Sequence, residues 1–139
     1  MRETHEGRVI NIGSMGGKLS FPGGGIYHAT KYAVEAISDV LRFEVSNFGV
    51  KVVLVEPGLI KTNFADAALS HMDTPSQTDG AYDDFNAAVA KNTAAVYENP
   101  LYARLGGGPD DVAKVIVTRA SVTEGAAPTL VLERKRKSA

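Results

Sequence analysis

Apolar positions along the chain fall into two short β-branched blocks separated by a long helical stretch. Arg8 to Ile12 is apolar, β-branched, too short for a helix and closed by Gly13-Ser14, which predicts a buried strand. Met15 to Gly25 contains five glycines and a proline, so it reads as a loop whose backbone can pass close to another group. From Ile26 to about Asn47, Ala33, Val34, Ile37, Val40, Leu41 and Val45 recur at helical spacing, with Phe48-Gly49 as the stop. Lys51 to Val55 is again β-branched and apolar and runs into Glu56-Pro57-Gly58, a second buried strand ended by residues that stop ladder donation and permit a sharp turn.

Two strands joined through a long helix form a right-handed βαβ unit, which belongs in a parallel sheet covered on both faces, so the fold class is α/β. Gly58 to Gly108 is longer than an ordinary connection, and Tyr82, Phe85, Val89 and Val96 repeat in it at helical spacing. It predicts a lid insertion over about residues 59–108 carrying one or two helices. Pro109 suits the first turn of a further helix, with Asp110 and Asp111 complementing its dipole, Val112, Val115, Ile116 and Ala120 on one face, and an end near Val122. Thr129 to Leu132 fits a last strand, and Glu133 to Lys137 a charged, solvated tail.

Composition narrows the possibilities only modestly. A length of 139 residues with 44% hydrophobic content fits one globular domain, and a net charge of -1 gives no electrostatic reason to expect nucleic acid or an anionic membrane. Cysteine is absent, which excludes disulfides and thiolate metal sites. The polar start Met1 to Gly7 does not read as a signal peptide, and no apolar run approaches the roughly 20 residues of a bilayer span. A cytoplasmic location is the default expectation. His5, His28 and His71 have no ligand spacing, so no metal is expected.

The chemistry concentrates at Tyr27-His28-Ala29-Thr30-Lys31, thirteen residues beyond Ser14. Positions i and i+4 share one helix face, so the Tyr27 phenol and the Lys31 ammonium can approach the same ligand. A phenol has a reference pKa of about 10 and is a poor base at neutral pH unless a nearby cation stabilises the phenolate. At roughly 4 Å and an effective dielectric of about 20, one charge pair is worth on the order of 4 kcal/mol, enough for about three pKa units. Each residue also has a plainer reading. Tyr27 and Lys31 fit an ordinary amphipathic face, Ser14 a strand-end turn, Pro57-Gly58 a strand terminator, and Thr62 the cap of a lid helix.

The order strand-Ser14, glycine loop, Tyr27-x-x-x-Lys31 helix, strand-Pro57-Gly58, then Ile60-x-Thr62 resembles the short-chain dehydrogenases/reductases. That resemblance spans nearly the whole chain and implies a Rossmann-like, doubly wound parallel sheet and an NAD(P)-dependent interconversion of alcohol and carbonyl. It implies Tyr27 as general acid/base, Ser14 as a hydrogen-bond partner of the reacting oxygen, and Lys31 on the nicotinamide ribose as well as beside the phenolate. Pro57, Gly58, Ile60 and Thr62 would line the nicotinamide of NAD or NADP, and the backbone of Ile12 would pass beside it. In such proteins the Tyr/Lys helix packs on a symmetry mate, so Ala33, Ile37, Val40 and Leu41 are candidates for a homodimer or homotetramer contact. The alternative is a non-catalytic remnant that keeps only this packing face.

The departures are equally specific. The first strand, its Gly-x-x-x-Gly-x-Gly turn over the pyrophosphate and the selector at the end of the second strand have no counterpart here. Gly23-Gly24-Gly25 and Gly106-Gly107-Gly108 follow no strand, and Asn11 is misplaced to serve as the family's relay asparagine. The expectation is the C-terminal catalytic half of one such domain, an incomplete sheet with Met1 internal to it, and inactive alone. Phe64, Leu69, Met72, Tyr82 and Phe85 in the insertion suggest an apolar substrate.

Overall fold

The computed structural model describes residues 1–64, 66–67, 70, 80–100, 107–121 and 129–131. β1 (Gly7–Ile12) runs parallel to β2 (Val50–Pro57), and β2 runs parallel to β3 (Thr129–Val131), in the order β1-β2-β3. Parallel neighbours need crossovers, and helices supply them: α1 (Gly25–Glu44) between β1 and β2, α3 (Pro109–Ser121) between β2 and β3. A further helix, α2 (Asp83–Glu98), lies in the predicted insertion.

β2 explains the sheet's stability. Val52, Val53, Leu54 and Val55 are buried, the last three completely, as expected of a strand covered on both faces. Val53 and Val55 pack with Ile10 of β1 and with Val112, Val115 and Ile116 of α3. The alternation of a strand sends Leu54 and Glu56 to the opposite face, where Leu54 and the α1 residue Glu35 both lie beside Gly13. Helices on both faces of a parallel sheet make this an α/β doubly wound arrangement.

β1 is less covered than its sequence predicted. Its residues are half-buried and Ile12 is exposed, because β1 pairs with β2 on one side and, among the described residues, with no strand on the other. One device compensates at its start: the Arg8 guanidinium donates to the carbonyl of Arg119, satisfying an acceptor in the last turn of α3.

The long helix occupies the predicted span, but its inward face differs from the apolar stripe. Val34, Leu41 and Val45 are half-buried, whereas Ala33, Ile37 and Val40 are exposed, as is Phe43. The buried positions of α1 are the polar His28, Glu35 and Ser38. After α1 the chain makes a 3-10 turn over Ser46–Phe48 and reverses at Gly49, whose φ of 66° lies in the left-handed region. A Cβ there would strike the carbonyl oxygen of His5, so glycine is required twice over.

The insertion is closed at its base. Ile60 bridges Gly107, and Lys61 N–H donates to the Gly107 carbonyl at 3.1 Å. α2 reaches back to the glycine loop: a Cβ at Gly23 would come within 2.5 Å of Val89 Cγ1. Tyr82 and Phe85 are exposed, while Val89 and Val96 are half-buried. Leu69, Met72, His71, Gly106, Val122, Leu132 and the tail from Glu133 lie outside the described residues. Among the described residues no helix is long and apolar enough to cross a membrane.

Candidate active site

The carboxyl ends of β1 and β2 lie side by side, with Ile12 paired to Val55, so Gly13-Ser14 and Glu56-Pro57-Gly58 leave the sheet next to each other. The crevice beyond the carboxyl ends of parallel strands is where open α/β sheets hold ligands. Gly13 N–H donates to the Val55 carbonyl at 2.8 Å, carrying the pairing one residue beyond β1 and fixing where Ser14 begins.

Ser14 then caps a short 3-10 turn, Met15–Gly17, its Oγ accepting from Gly16 N–H at 3.1 Å. The same Oγ accepts from the Tyr27 hydroxyl, also at 3.1 Å. With both acceptor sites taken, the proton of Ser14 Oγ remains available to another oxygen. Lys31, one turn along α1, donates to the carbonyls of Ile12 and Gly13, each at 3.3 Å, and its Nζ lies 5.9 Å from the centre of the Tyr27 ring. The structure thus brings together Ser14, Tyr27, Lys31 and the backbone of Ile12.

The second group of predicted residues is more spread out. Pro57, Gly58 and Ile60 are half-buried along the exit from β2, and Ile60 also anchors the base of the insertion. Thr62 is exposed, and its Oγ1 accepts from Phe64 N–H at 3.2 Å, the capping role named above as its plainer reading. Phe64 is exposed, with its ring 5.5 Å from that of Tyr27. Asn11 is taken up elsewhere, donating to Ser38 Oγ at 2.9 Å.

Two further residues belong to the site and carry no signature in the sequence. His28, buried beside Tyr27, approaches the Gly16 carbonyl through Nδ1 at 2.9 Å and accepts Phe21 N–H at Nε2 at 3.1 Å, so the proton sits on Nδ1. It ties both halves of the glycine loop to the start of α1, and its ring meets that of Tyr27 edge-on at 5.6 Å. From α2, the Tyr97 phenol is pushed above its ordinary value of 10.0, first by burial and then by the charge of Tyr27.

A family model described as short chain dehydrogenase matches residues 1–73. An uncharacterized oxidoreductase of Schizosaccharomyces pombe is 49% identical over 63 residues, which are 45% of this chain and 27% of that protein. Dehydrogenase/reductase SDR family member 9 of Homo sapiens is 56% identical over 61 residues, 44% of this chain and 19% of its own length. Among solved structures, a short-chain dehydrogenase from Streptomyces avermitilis superposes with a TM-score of 0.65 at 30% identity, over 94% of this chain and 44% of that one. The closed form of serine dehydrogenase complexed with NADP+ gives 0.68 at 25% identity, over 100% and 49%. The chain spans just under half the length of these two structures.

Proposed function

Since this chain belongs to the short chain dehydrogenase family, we propose that it supplies the acid/base machinery of a nicotinamide-dependent oxidoreductase interconverting an alcohol and a carbonyl compound. The observation that carries this reading is the Tyr27 hydroxyl held 3.1 Å from Ser14 Oγ, with the Lys31 ammonium beside its ring. In reduction Tyr27 donates its proton to the carbonyl oxygen, and in oxidation it takes one from the alcohol. Ser14 uses its remaining proton to grip the same oxygen. The positive charge of Lys31 favours the transient phenolate, and its remaining donor capacity serves a ribose hydroxyl.

The residues fit the nicotinamide end of NAD or NADP. Gly13 and Gly58 leave the strand ends without side chains, Lys31 offers a cationic donor, and Pro57, Ile60 and Thr62 line the exit from β2. The NADP+ of the serine dehydrogenase structure supports this assignment. When bound, the nicotinamide supplies or accepts the hydride. The pyrophosphate end has no glycine-rich turn among these 139 residues, so the chain by itself is proposed to be inactive. Phe64 against Tyr27 favours an apolar substrate.

The exposed Ala33, Ile37 and Val40 favour a second reading, in which the chain serves only subunit packing through α1. A titration with NADH and NADPH at millimolar concentration, followed by protein NMR, separates the two. The dehydrogenase reading expects weak binding that shifts resonances of Ser14, Tyr27, Lys31 and Gly58, survives Tyr27→Phe and is lost in Lys31→Ala, with no alcohol oxidation by the chain alone. Silence at those resonances would leave the packing reading.

A further inference from the structure

Against Gly13 and Gly17 of the Ser14 loop lies a group of ionisable side chains that the proposed proton transfer does not use. Glu35 of α1 and Glu56 of β2 are 7% and 3% exposed, values at which carboxylates are rare unless paired. Lys18, which follows the 3-10 turn, reaches over both: its Nζ is 2.6 Å from Glu35 Oε2 and 3.6 Å from Glu56 Oε1. Glu35 Oε1, Glu35 Oε2 and Glu56 Oε1 accept no hydrogen bond of regular geometry among the described residues, so ion pairing with Lys18 is what offsets their burial. Two buried carboxyls sharing one lysine hold together best when one keeps a proton for the other.

The position of Glu35 connects this group to Ser14. A Cβ on Gly13 would lie 3.3 Å from Glu35 Oε1, and one on Gly17 would lie 3.0 Å from both its Cγ and its Oε1. The carboxylate is therefore seated between the glycines that bracket Ser14-Met15-Gly16, and these glycines admit it because they carry no side chain. Lys18 adds a tether from the loop's far end to both α1 and β2.

We propose that Lys18, Glu35 and Glu56 form an ionic clasp, two buried carboxyls under a half-exposed ammonium, that sets the distance between Ser14 and Tyr27, which makes them positioning residues for the dehydrogenase site and rests on that reading of it. Burial, then the hydrogen bond and charge of Glu35, push the Glu56 carboxyl above its ordinary value of 4.5, while Lys18 pulls it down. The hydrogen bond to Glu35 raises Lys18 against the cost of burial, with the charges of Glu35, Glu56 and Asp39 helping. Lys31 faces the cluster through its carbonyl, which would meet a Cβ on Gly17 at 3.0 Å, while α3 covers the other face of β2 with apolar Val112, Val115 and Ile116. Protonation of Glu56 thereby becomes a state that the Ser14 loop can feel.

The test follows the unmodified chain by NMR from about pH 4 to about pH 8, reading the carboxyls of Glu35 and Glu56, the amides of Gly13, Ser14 and Gly17, and Tyr27 Cζ. The clasp expects Glu56 to titrate above 4.5, with the Ser14 and Gly17 amides and Tyr27 Cζ following the same curve. Lys18→Met should move that midpoint higher and speed amide exchange at Gly13 and Gly17 about tenfold, and Lys18→Arg should restore both. Amides and Tyr27 Cζ that ignore the carboxyl titration overturn the clasp, whatever the variants do; so does a Lys18→Met protein that folds and matches the parent. Failure of the dehydrogenase reading has a different signature, a silent nucleotide titration with the carboxyl coupling intact.

Discussion

An added methyl group at two glycines of the loop between β1 and α1 should have opposite effects. At Gly17 it would sit 3.0 Å from Glu35 Cγ, Glu35 Oε1 and the Lys31 carbonyl, whereas at Gly25, the first residue of α1, nothing lies within 4 Å. Gly17→Ala is therefore expected to destabilise by about 1–3 kcal/mol through overpacking. Gly25→Ala should stabilise by about 0.4–1 kcal/mol by restricting the unfolded chain. Urea unfolding of both variants decides it, and equal shifts would discredit the packing described at Gly17. At this scale Ser14, Tyr27 and Lys31 were legible in the sequence because their order and spacing follow from one strand, one loop and one helix turn. Glu35, Glu56, His28 and Tyr97 were not. Each looks like an ordinary polar or aromatic position, and each acquires its role from partners on another element. Glu35 on an amphipathic helix reads as a solvent-facing charge, yet only 7% of it is exposed.

For whole elements, periodicity located α1 but did not say which of its faces turns inward. The apolar spacing included Ala33, Ile37 and Val40, which the structure leaves exposed, alongside Val34, Leu41 and Val45, which turn partly inward. Two apolar stripes on one helix add into a single helical pattern, so the sequence alone cannot divide them between the sheet and an outer partner. β2 was read correctly because a continuous β-branched run permits only burial on both faces. β1 carries a similar run but is covered less, since the depth of a strand depends on its neighbours as much as on its own residues. The difference predicts an asymmetry in cost. Leu54→Ala in β2 should lose about 2–5 kcal/mol, the range for cavities in a packed core. Val117→Ala on the outer face of α3, where Val117 is 66% exposed, should stay within about 0.5 kcal/mol. Chemical denaturation measures both, and a Leu54→Ala cost no larger than that of Val117→Ala would contradict a core centred on β2.

Over the molecule as a whole, Glu56 links stability to pH. Its carboxyl lies above the ordinary 4.5 when folded, so the folded chain holds this proton more tightly than the unfolded one. The contribution is fully present below 4.5 and disappears as pH rises through the raised folded value. Relative to the parent, Glu56→Gln should therefore gain stability as pH rises from acid toward neutral, read as the difference between the two urea midpoints. A constant difference across that window would mean that Glu56 titrates alike in both states. The α/β class, the crossover order and a helix in the span between β2 and α3 were legible at this scale. The closure of the insertion through Ile60 and Gly107 was not, because it joins residues that no local pattern relates.

The one-to-one pairing of β1 with β2, from Gly7 opposite Val50 to Ile12 opposite Val55, makes β2 a ruler. Removing one residue from it would retract Pro57-Gly58 by a step of about 3.3 Å relative to Ser14. The same deletion would reverse the alternation and swing the acid at the strand's end to the opposite side of the sheet, out of reach of its lysine. The length of this strand, counted in residues, is thus a chemical specification as much as an architectural one, and substitutions within it should be tolerated far more readily than any change in that count.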